Sequence, residues 1–252
     1  IAQGSDAAAG WSPEGPSDSR TLPVSEPLPD RSDVKDVTGS HPALFGWDLM
    51  DLFPADTSAQ AAQEAFDRMV RYGKRSSLEG GVATYSWHMR NPLTGNSFYD
   101  TTRAVHALLP GGERHEAYKA DLDRVAAFFQ ALSPEPVIFR PFHEHNGDWF
   151  WWCKAFTTEE DYVALWQFTQ DYLHREKGVH NMLWAYSPDR SRMSLETFEQ
   201  DYAWGYPGDD RVDILGLDNY WDVGHKANTV SPERQREAFV RSLTLMGEMA
   251  LD

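Results

Sequence analysis

The stretch PVIFRPFHEHNGDWFWW, residues 136–152, joins a short apolar run to a dense group of polar and aromatic side chains. The apolar run is typical of a buried β-strand. Strand alternation predicts one face made of four side chains: Ile138, Arg140, Phe142 and Glu144. Apolar neighbours would raise the pKa of Glu144, as a general acid near neutral pH requires. The alternative is a structural salt bridge between Glu144 and Arg140.

Similar apolar runs recur along the chain and alternate with amphipathic segments. We predict strands at 43–48, 81–88, 136–144, 181–187 and 212–220, and helices at 59–74, 118–132, 157–177, 195–204 and 231–252. Thr157 and Glu160 have the spacing of a capping box at the start of the third helix. Alternating strands and helices favour an α/β fold with a parallel sheet.

The side chains that follow the strands decide between two α/β architectures. A doubly wound sheet is one of them, but no glycine-rich phosphate motif follows any strand. Each strand instead ends in polar or aromatic groups, which is typical of the active-site face of a (β/α)₈ TIM barrel. We therefore predict a barrel that is incomplete in this chain, about three strands short of eight. Residues 1–40 read as an irregular loop-rich segment, and 41–252 as the barrel domain.

Composition excludes several classes of protein. The net charge of −16 argues against nucleic acid and anionic membranes as partners, and no stretch is long and apolar enough to span a bilayer. A single cysteine, Cys153, excludes a disulfide framework and a cysteine-rich zinc site. Ten tryptophans and ten tyrosines fit a sugar-binding surface, although a large core is an equal alternative. The chain starts at Ile1 without a signal-peptide pattern, so processing or truncation is expected.

The two histidines beside Glu144 raise the possibility of a metal site. His143 and His145 could supply two ligands, with His88 and Asp218 as further candidates. No second histidine pair supports this, so we favour a role in hydrogen bonding or substrate contact. Among the nearby tryptophans, alternation would turn Trp149 and Trp151 to one side and Trp152 to the other, with at least one of them in the core.

Six motifs occur in a fixed order: FGWD (45–48), SWHMRNP (86–92), LLPGG (108–112), PVIFRPFHEHNGDWFWW (136–152), WAYSPD (184–189) and YPGDDRVDILGLDNY (206–220). This order resembles glycoside hydrolase family 26, a family of retaining barrel glycosidases dominated by β-mannanases. The resemblance implies that Glu144 is the proton donor, or acid/base. It also implies five substrate-binding residues: His88, His143, Trp149, Asp218 and Tyr220.

Parts of the family pattern have no counterpart in the chain. The family's nucleophile is a glutamate at the end of strand seven, and nothing here matches its motif. Glu248 lies in an amphipathic segment and is rejected for this role. The first-strand motif and the eighth strand are not matched either. We therefore expect strands two to six of the barrel, with weak or no activity for this segment alone.

The resemblance implies a hydrolase that cleaves β-1,4-mannosidic bonds in mannan, galactomannan or glucomannan by double displacement. β-1,3-Xylan and mixed-linkage β-glucan are alternative substrates of the same family. Two other classes stay open: a metal-dependent barrel hydrolase using His143 and His145, and a carbohydrate-binding protein without catalysis. We expect no cofactor, no nucleic-acid or membrane partner, a monomeric state, and a secreted or periplasmic location.

Overall fold

The structure is a computed structural model that describes residues 11–12, 15–16, 32–55 and 57–251. Within these residues the strands are β1 Trp11–Ser12, β2 Gly15–Pro16, β3 Leu44–Asp48, β4 Val82–Ser86, β5 Val137–Arg140, β6 Met182–Tyr186 and β7 Ile214–Leu215. The helices are α1 Asp33–Thr38, α2 Ala59–Leu78, α3 Val105–Leu108, α4 His115–Leu132, α5 Glu159–Asp171, α6 Phe198–Tyr202 and α7 Pro232–Met249. No helix in this part of the chain is long and apolar enough to cross a membrane.

Five strands form one sheet in the order β3-β4-β5-β6-β7, while β1 and β2 form a separate antiparallel pair. β3 runs parallel to β4, with Leu44 opposite Val82, and β6 runs parallel to β7, with Ala185 opposite Ile214. At least one helix lies between each consecutive pair of these strands. The spatial order never reverses relative to the chain order, whereas a doubly wound sheet has a reversal point. The predicted α/β fold with a parallel sheet is confirmed.

The predicted elements all occur, but several ends differ. β5 ends at Arg140 instead of continuing to Glu144, and β7 is only two residues long. The cap of α5 is Thr158, whose Oγ1 accepts from Asp161 N at 3.2 Å, one residue later than predicted. A single π-helical turn, Tyr172–Glu176, continues this helix.

The predicted irregular segment 1–40 includes β1, β2 and α1, and its remaining parts lie mostly outside the described residues. In α1, Ser32 caps the first turn by accepting from Lys35 N at 3.0 Å. Gly39 ends this helix with a φ of 81°, a left-handed conformation that glycine adopts without a steric penalty. The domain boundary at residue 41 stays a prediction.

The chain divides into two compact units. The first comprises the described residues within 1–88, 119–139 and 172–183. Its core packs α2 against the first two strands of the sheet. Trp47 stacks on Tyr72 with ring centroids 5.2 Å apart, and its indole N–H donates to Ser76 Oγ at 3.1 Å. These contacts explain why the buried side of α2 combines aromatic and small residues.

The second unit comprises 89–118, 140–171 and 184–252. Its core is strongly aromatic: Trp166, Tyr162 and Tyr186 are fully buried. Tyr118 Oη and Thr169 Oγ1 lie 2.7 Å apart and join α4 to α5. Residues 140–152, the part of the polar and aromatic stretch from Arg140 onward, belong to this unit.

Candidate active site

Glu144 lies in a turn that follows β5, not on the strand. Phe142 and Glu144 have φ angles of 51° and 55°, in the left-handed region where non-glycine residues are uncommon. Strand alternation therefore stops at Arg140, and the prediction that Glu144 shares a strand face with Ile138 is wrong. Glu144 N donates to Ser187 O at 2.8 Å, which fixes the turn to the residue after β6.

The indole N–H groups of the three tryptophans all donate hydrogen bonds, two of them to the turn itself. Trp149 Nε1 donates to Glu144 Oε2 at 2.8 Å. Trp151 Nε1 donates to Met89 O, and Trp152 Nε1 to His143 O, both at 2.9 Å. Trp151 and Trp152 are both fully buried, so the predicted alternation is wrong, although the expectation of at least one core tryptophan is confirmed. Trp149 alone of the three is partly exposed beside Glu144.

Both histidines of the opening stretch are buried among aromatic rings. The ring of His143 lies 5.5 Å from that of Phe150, between centroids. His145 Nε2 lies 2.7 Å from Tyr186 Oη. Burial lowers the pKa of His145 to about 3, so its imidazole is neutral at physiological pH. Among the residues that the structure describes, no three His, Cys, Asp or Glu side chains are grouped so that they could hold a metal ion.

Arg140 and Asp218 form an ion pair near the same turn. Arg140 Nη1 lies 2.9 Å from Asp218 Oδ1 and 3.2 Å from Oδ2. Ser187 Oγ donates to Asp218 Oδ2 at 2.9 Å, while the carbonyl of Ser187 accepts from Glu144 N. Ser187 therefore links Glu144 to Asp218, and the sequence offered no signal for this link beyond its position at a strand end.

Two charged residues that sequence reasoning did not single out lie beside Trp149. The guanidinium carbon of Arg192 is 5.1 Å from the Trp149 ring centroid. Arg192 Nη2 is 2.6 Å from Asp148 Oδ1. Arg192 ends a short 3₁₀ helix after β6, forty-three positions beyond Trp149, so no local pattern could have revealed the contact.

The remaining two predicted site residues are Tyr220 and His88. Tyr220 is 57% exposed and precedes a short 3₁₀ helix, Trp221–Val223. His88 belongs to the first unit, where its Nδ1 makes a short hydrogen bond to Asp48 Oδ2. Burial opposes ionisation of Asp48, but the hydrogen bond and charge of His88, with backbone N–H donors, lower its pKa to about 2. Asp48 is therefore an anion that orients His88.

The chain is similar in sequence and in structure to known proteins. Residues 25–235 match the family described as Glycosyl hydrolase family 26. The mannan endo-1,4-β-mannosidase of Bifidobacterium adolescentis is 38% identical over 198 residues, covering 75% of this chain and 20% of that protein. The enzyme of the same description from Bacillus subtilis is 31% identical over 202 residues, covering 75% of this chain and 53% of that protein.

A solved structure of a modular endo-β-1,4-mannanase from Cellulomonas fimi matches with a TM-score of 0.81 at 33% identity. The match covers 99% of this chain and 53% of that one. The likeness confirms the fold class predicted from the sequence, an α/β chain of the (β/α)₈ barrel type. The chain spans about half the length of this structure and of the Bacillus relative, and a fifth of the Bifidobacterium protein.

Proposed function

This chain belongs to glycosyl hydrolase family 26, and we propose that it carries the acid/base half of a retaining endo-β-1,4-mannanase. The observation that carries the proposal is the placement of Glu144, held by an indole N–H at the end of a barrel strand. Barrel enzymes build their active sites at this end of the sheet. The two relatives described as mannan endo-1,4-β-mannosidases support mannan as the substrate.

The hydrogen bond from Trp149 makes the two carboxyl oxygens of Glu144 chemically different, because it reaches Oε2. Oε2 accepts from the indole N–H, and a carbonyl-type oxygen is the better acceptor. We therefore propose that the acidic proton is on Oε1, which is the atom that would protonate the glycosidic oxygen. After the first step, ionised Glu144 would deprotonate the water that releases the sugar.

Double displacement also needs a nucleophilic carboxylate roughly 5 to 5.5 Å from the acid/base. Asp218 is not assigned to this role, because Arg140 and Ser187 engage its carboxylate. We propose that Asp218 keeps Arg140 and Ser187 in place, and that the nucleophile is a glutamate outside these 252 residues. His143, Trp149, Tyr220 and His88 are the proposed sugar-contacting residues. A polymeric substrate does not cross a cell membrane, so we propose a secreted or periplasmic enzyme.

The test is Glu144→Ala in the full-length protein, with an aryl β-mannoside whose leaving group is a weakly basic phenolate. Such a group departs without protonation, so formation of the glycosyl-enzyme should stay within about tenfold of wild type. Hydrolysis of that intermediate needs the base and should slow by about 10² to 10⁴. Stopped-flow release of the phenolate would show a burst followed by slow turnover.

The matched control is Glu160→Ala, which removes an exposed carboxylate from the first turn of α5. It should turn over aryl mannoside and mannan at wild-type rates. Equal loss of both steps in Glu144→Ala would rule out Glu144 as the acid/base. Faster turnover of β-1,3-xylan or mixed-linkage β-glucan than of β-1,4-mannan would overturn the substrate assignment.

A further inference from the structure

The side chain of Trp149 is fixed on more than one side. A Cβ atom built on Gly147 would lie 2.6 Å from Trp149 Cη2 and Cζ2, so the indole rests directly on the glycine backbone. The Arg192 guanidinium lies over the ring, and Asp148 holds that guanidinium in an ion pair. The indole that donates to Glu144 is thus confined by contacts to residues on both sides of it in the chain.

The energy of these contacts points to a role other than stability. The Arg192 and Asp148 side chains are 43% and 57% exposed, and an exposed ion pair contributes little to folding stability. A cation over a partly exposed tryptophan ring likewise adds little. These contacts are weak for folding, but together with the Gly147 backbone they favour the observed orientation of the ring. The ring orientation in turn sets the direction of Nε1–H toward Glu144 Oε2.

We propose that Arg192, held in place by Asp148, is a positioning residue that orients the proton donor Glu144 through the indole of Trp149. The proposal rests on the proposed function, because it assigns Arg192 a task in the protonation step. Arg192 acts on Trp149 and not on the sugar. Its loss should therefore disturb protonation of the leaving group more than substrate binding.

The primary experiment compares Arg192→Met with wild type in the full-length enzyme on two substrates. Methionine keeps an unbranched apolar stem and removes the charge. With a mannooligosaccharide, whose leaving group needs protonation, kcat should fall about tenfold and KM should change less than twofold. With an aryl mannoside bearing a weakly basic phenolate, the burst rate should stay within about twofold of wild type.

Three further variants distinguish positioning from a general structural effect. Arg192→Lys keeps a cation that can reach the ring and should recover part of the oligosaccharide activity. Adding Arg192→Met to Trp149→Phe should cause no further loss, because the group through which Arg192 acts is already removed. Arg241→Met removes an exposed arginine paired with Glu248 on α7 and should behave as wild type on both substrates.

Each opposite result overturns the proposal. An equal fall on both substrates, or a rise in KM without a fall in kcat, means that Arg192 maintains the fold or binds sugar directly. Unchanged oligosaccharide activity means that the orientation of Trp149 does not depend on Arg192. If Arg192→Met does not fold, as judged by circular dichroism, Arg192→Lys decides: a fall in kcat on the oligosaccharide alone supports the proposal, and an equal fall on both substrates overturns it. If Glu144→Ala behaves as expected while Arg192→Met affects the oligosaccharide and the aryl mannoside equally, only this proposal fails and the proposed function stands.

Discussion

At the scale of single residues, the site depends on backbone conformations that are unfavourable in isolation. Phe142 and Glu144 both have positive φ, which costs about 1 to 3 kcal/mol each for a non-glycine residue. The surrounding hydrogen bonds offset that cost: Tyr162 Oη donates to Phe142 O at 3.2 Å, and Cys153 Sγ to Glu144 O at 3.4 Å. Strain held by its surroundings is common at active sites, because it fixes a reactive group in one orientation.

Burial of a single residue, His145, should make the stability of the protein depend on pH. An unfolded histidine takes up a proton near pH 6.5, whereas burial lowers the pKa of His145 to about 3. Between these values the unfolded chain binds more protons. The free energy of unfolding should therefore be highest above pH 6.5 and fall toward pH 3, by up to about 1.4 kcal/mol per pH unit from this residue.

Urea unfolding of the full-length protein at a series of pH values measures this effect. His145→Gln cannot titrate and should lose this part of the pH dependence, while being less stable at neutral pH. His106→Gln, which changes an exposed histidine in α3, should retain the wild-type dependence. Parallel curves for wild type and His145→Gln would show that another group is responsible.

At the scale of elements, the turn after β5 is attached to the segment after β6 by side chains as well as backbone. Asn146 Nδ2 donates to Asp189 O at 2.8 Å, and Asp189 N donates to Asn146 Oδ1 at 2.7 Å. Both bonds are buried, where an amide without partners would cost about 1 to 3 kcal/mol. This reciprocal pair keeps two loops at the carboxyl ends of neighbouring strands in register.

Replacing two helical glycines by alanine should change the free energy of unfolding in opposite directions. A Cβ at Gly73 in α2 would lie 2.5 Å from Tyr85 Oη and 2.7 Å from Leu132 Cδ2. Alanine improves helix propensity by about 1 kcal/mol, but this overlap costs about 1 to 3 kcal/mol. Gly73→Ala should therefore lower the free energy of unfolding. Gly247→Ala in α7, where nothing lies within 4 Å, should raise it by up to about 1 kcal/mol.

Thermal unfolding of both variants tests this contrast, with wild type measured alongside. A higher unfolding temperature for both substitutions would mean that helix propensity, not the close approach of α2 to its neighbours, decides the effect at Gly73.

At the scale of the whole molecule, each compact unit has its own stabilising contacts. The first relies on aromatic packing around Trp47 and Tyr72. The second adds a buried ion pair, in which Arg190 Nε lies 3.0 Å from Asp222 Oδ2 and donates to Ser242 Oγ at 2.8 Å. Because Ser242 belongs to α7, this pair attaches the last helix to the loops that follow β6 and β7.

Breaking that pair should destabilise the second unit. Arg190→Met leaves Asp222 as a buried charge without its partner and should cost about 3 to 5 kcal/mol in urea unfolding. The double variant Arg190→Met with Asp222→Leu should recover part of this loss, because no uncompensated charge remains. Arg241→Met is the exposed control and should change stability by less than about 0.5 kcal/mol. A double variant no more stable than Arg190→Met would refute the electrostatic explanation.

The sequence by itself determined the order of strands and helices and the parallel sheet. These features follow from local periodicity and from short motifs, whose signals lie within one element. Strand alternation does not continue beyond Arg140, because the turn that follows contains left-handed residues that have no local sequence signature.

Only the tertiary structure decided which side chains meet. Arg140 pairs with Asp218 across seventy-eight positions, and Arg192 with Asp148 across forty-four. Trp151 and Trp152 both turn into the core, while Trp149 remains beside Glu144. The physical reason is that hydrogen bonds and ring contacts depend on distances in space, which the folded backbone sets and the spacing of residues along the chain does not.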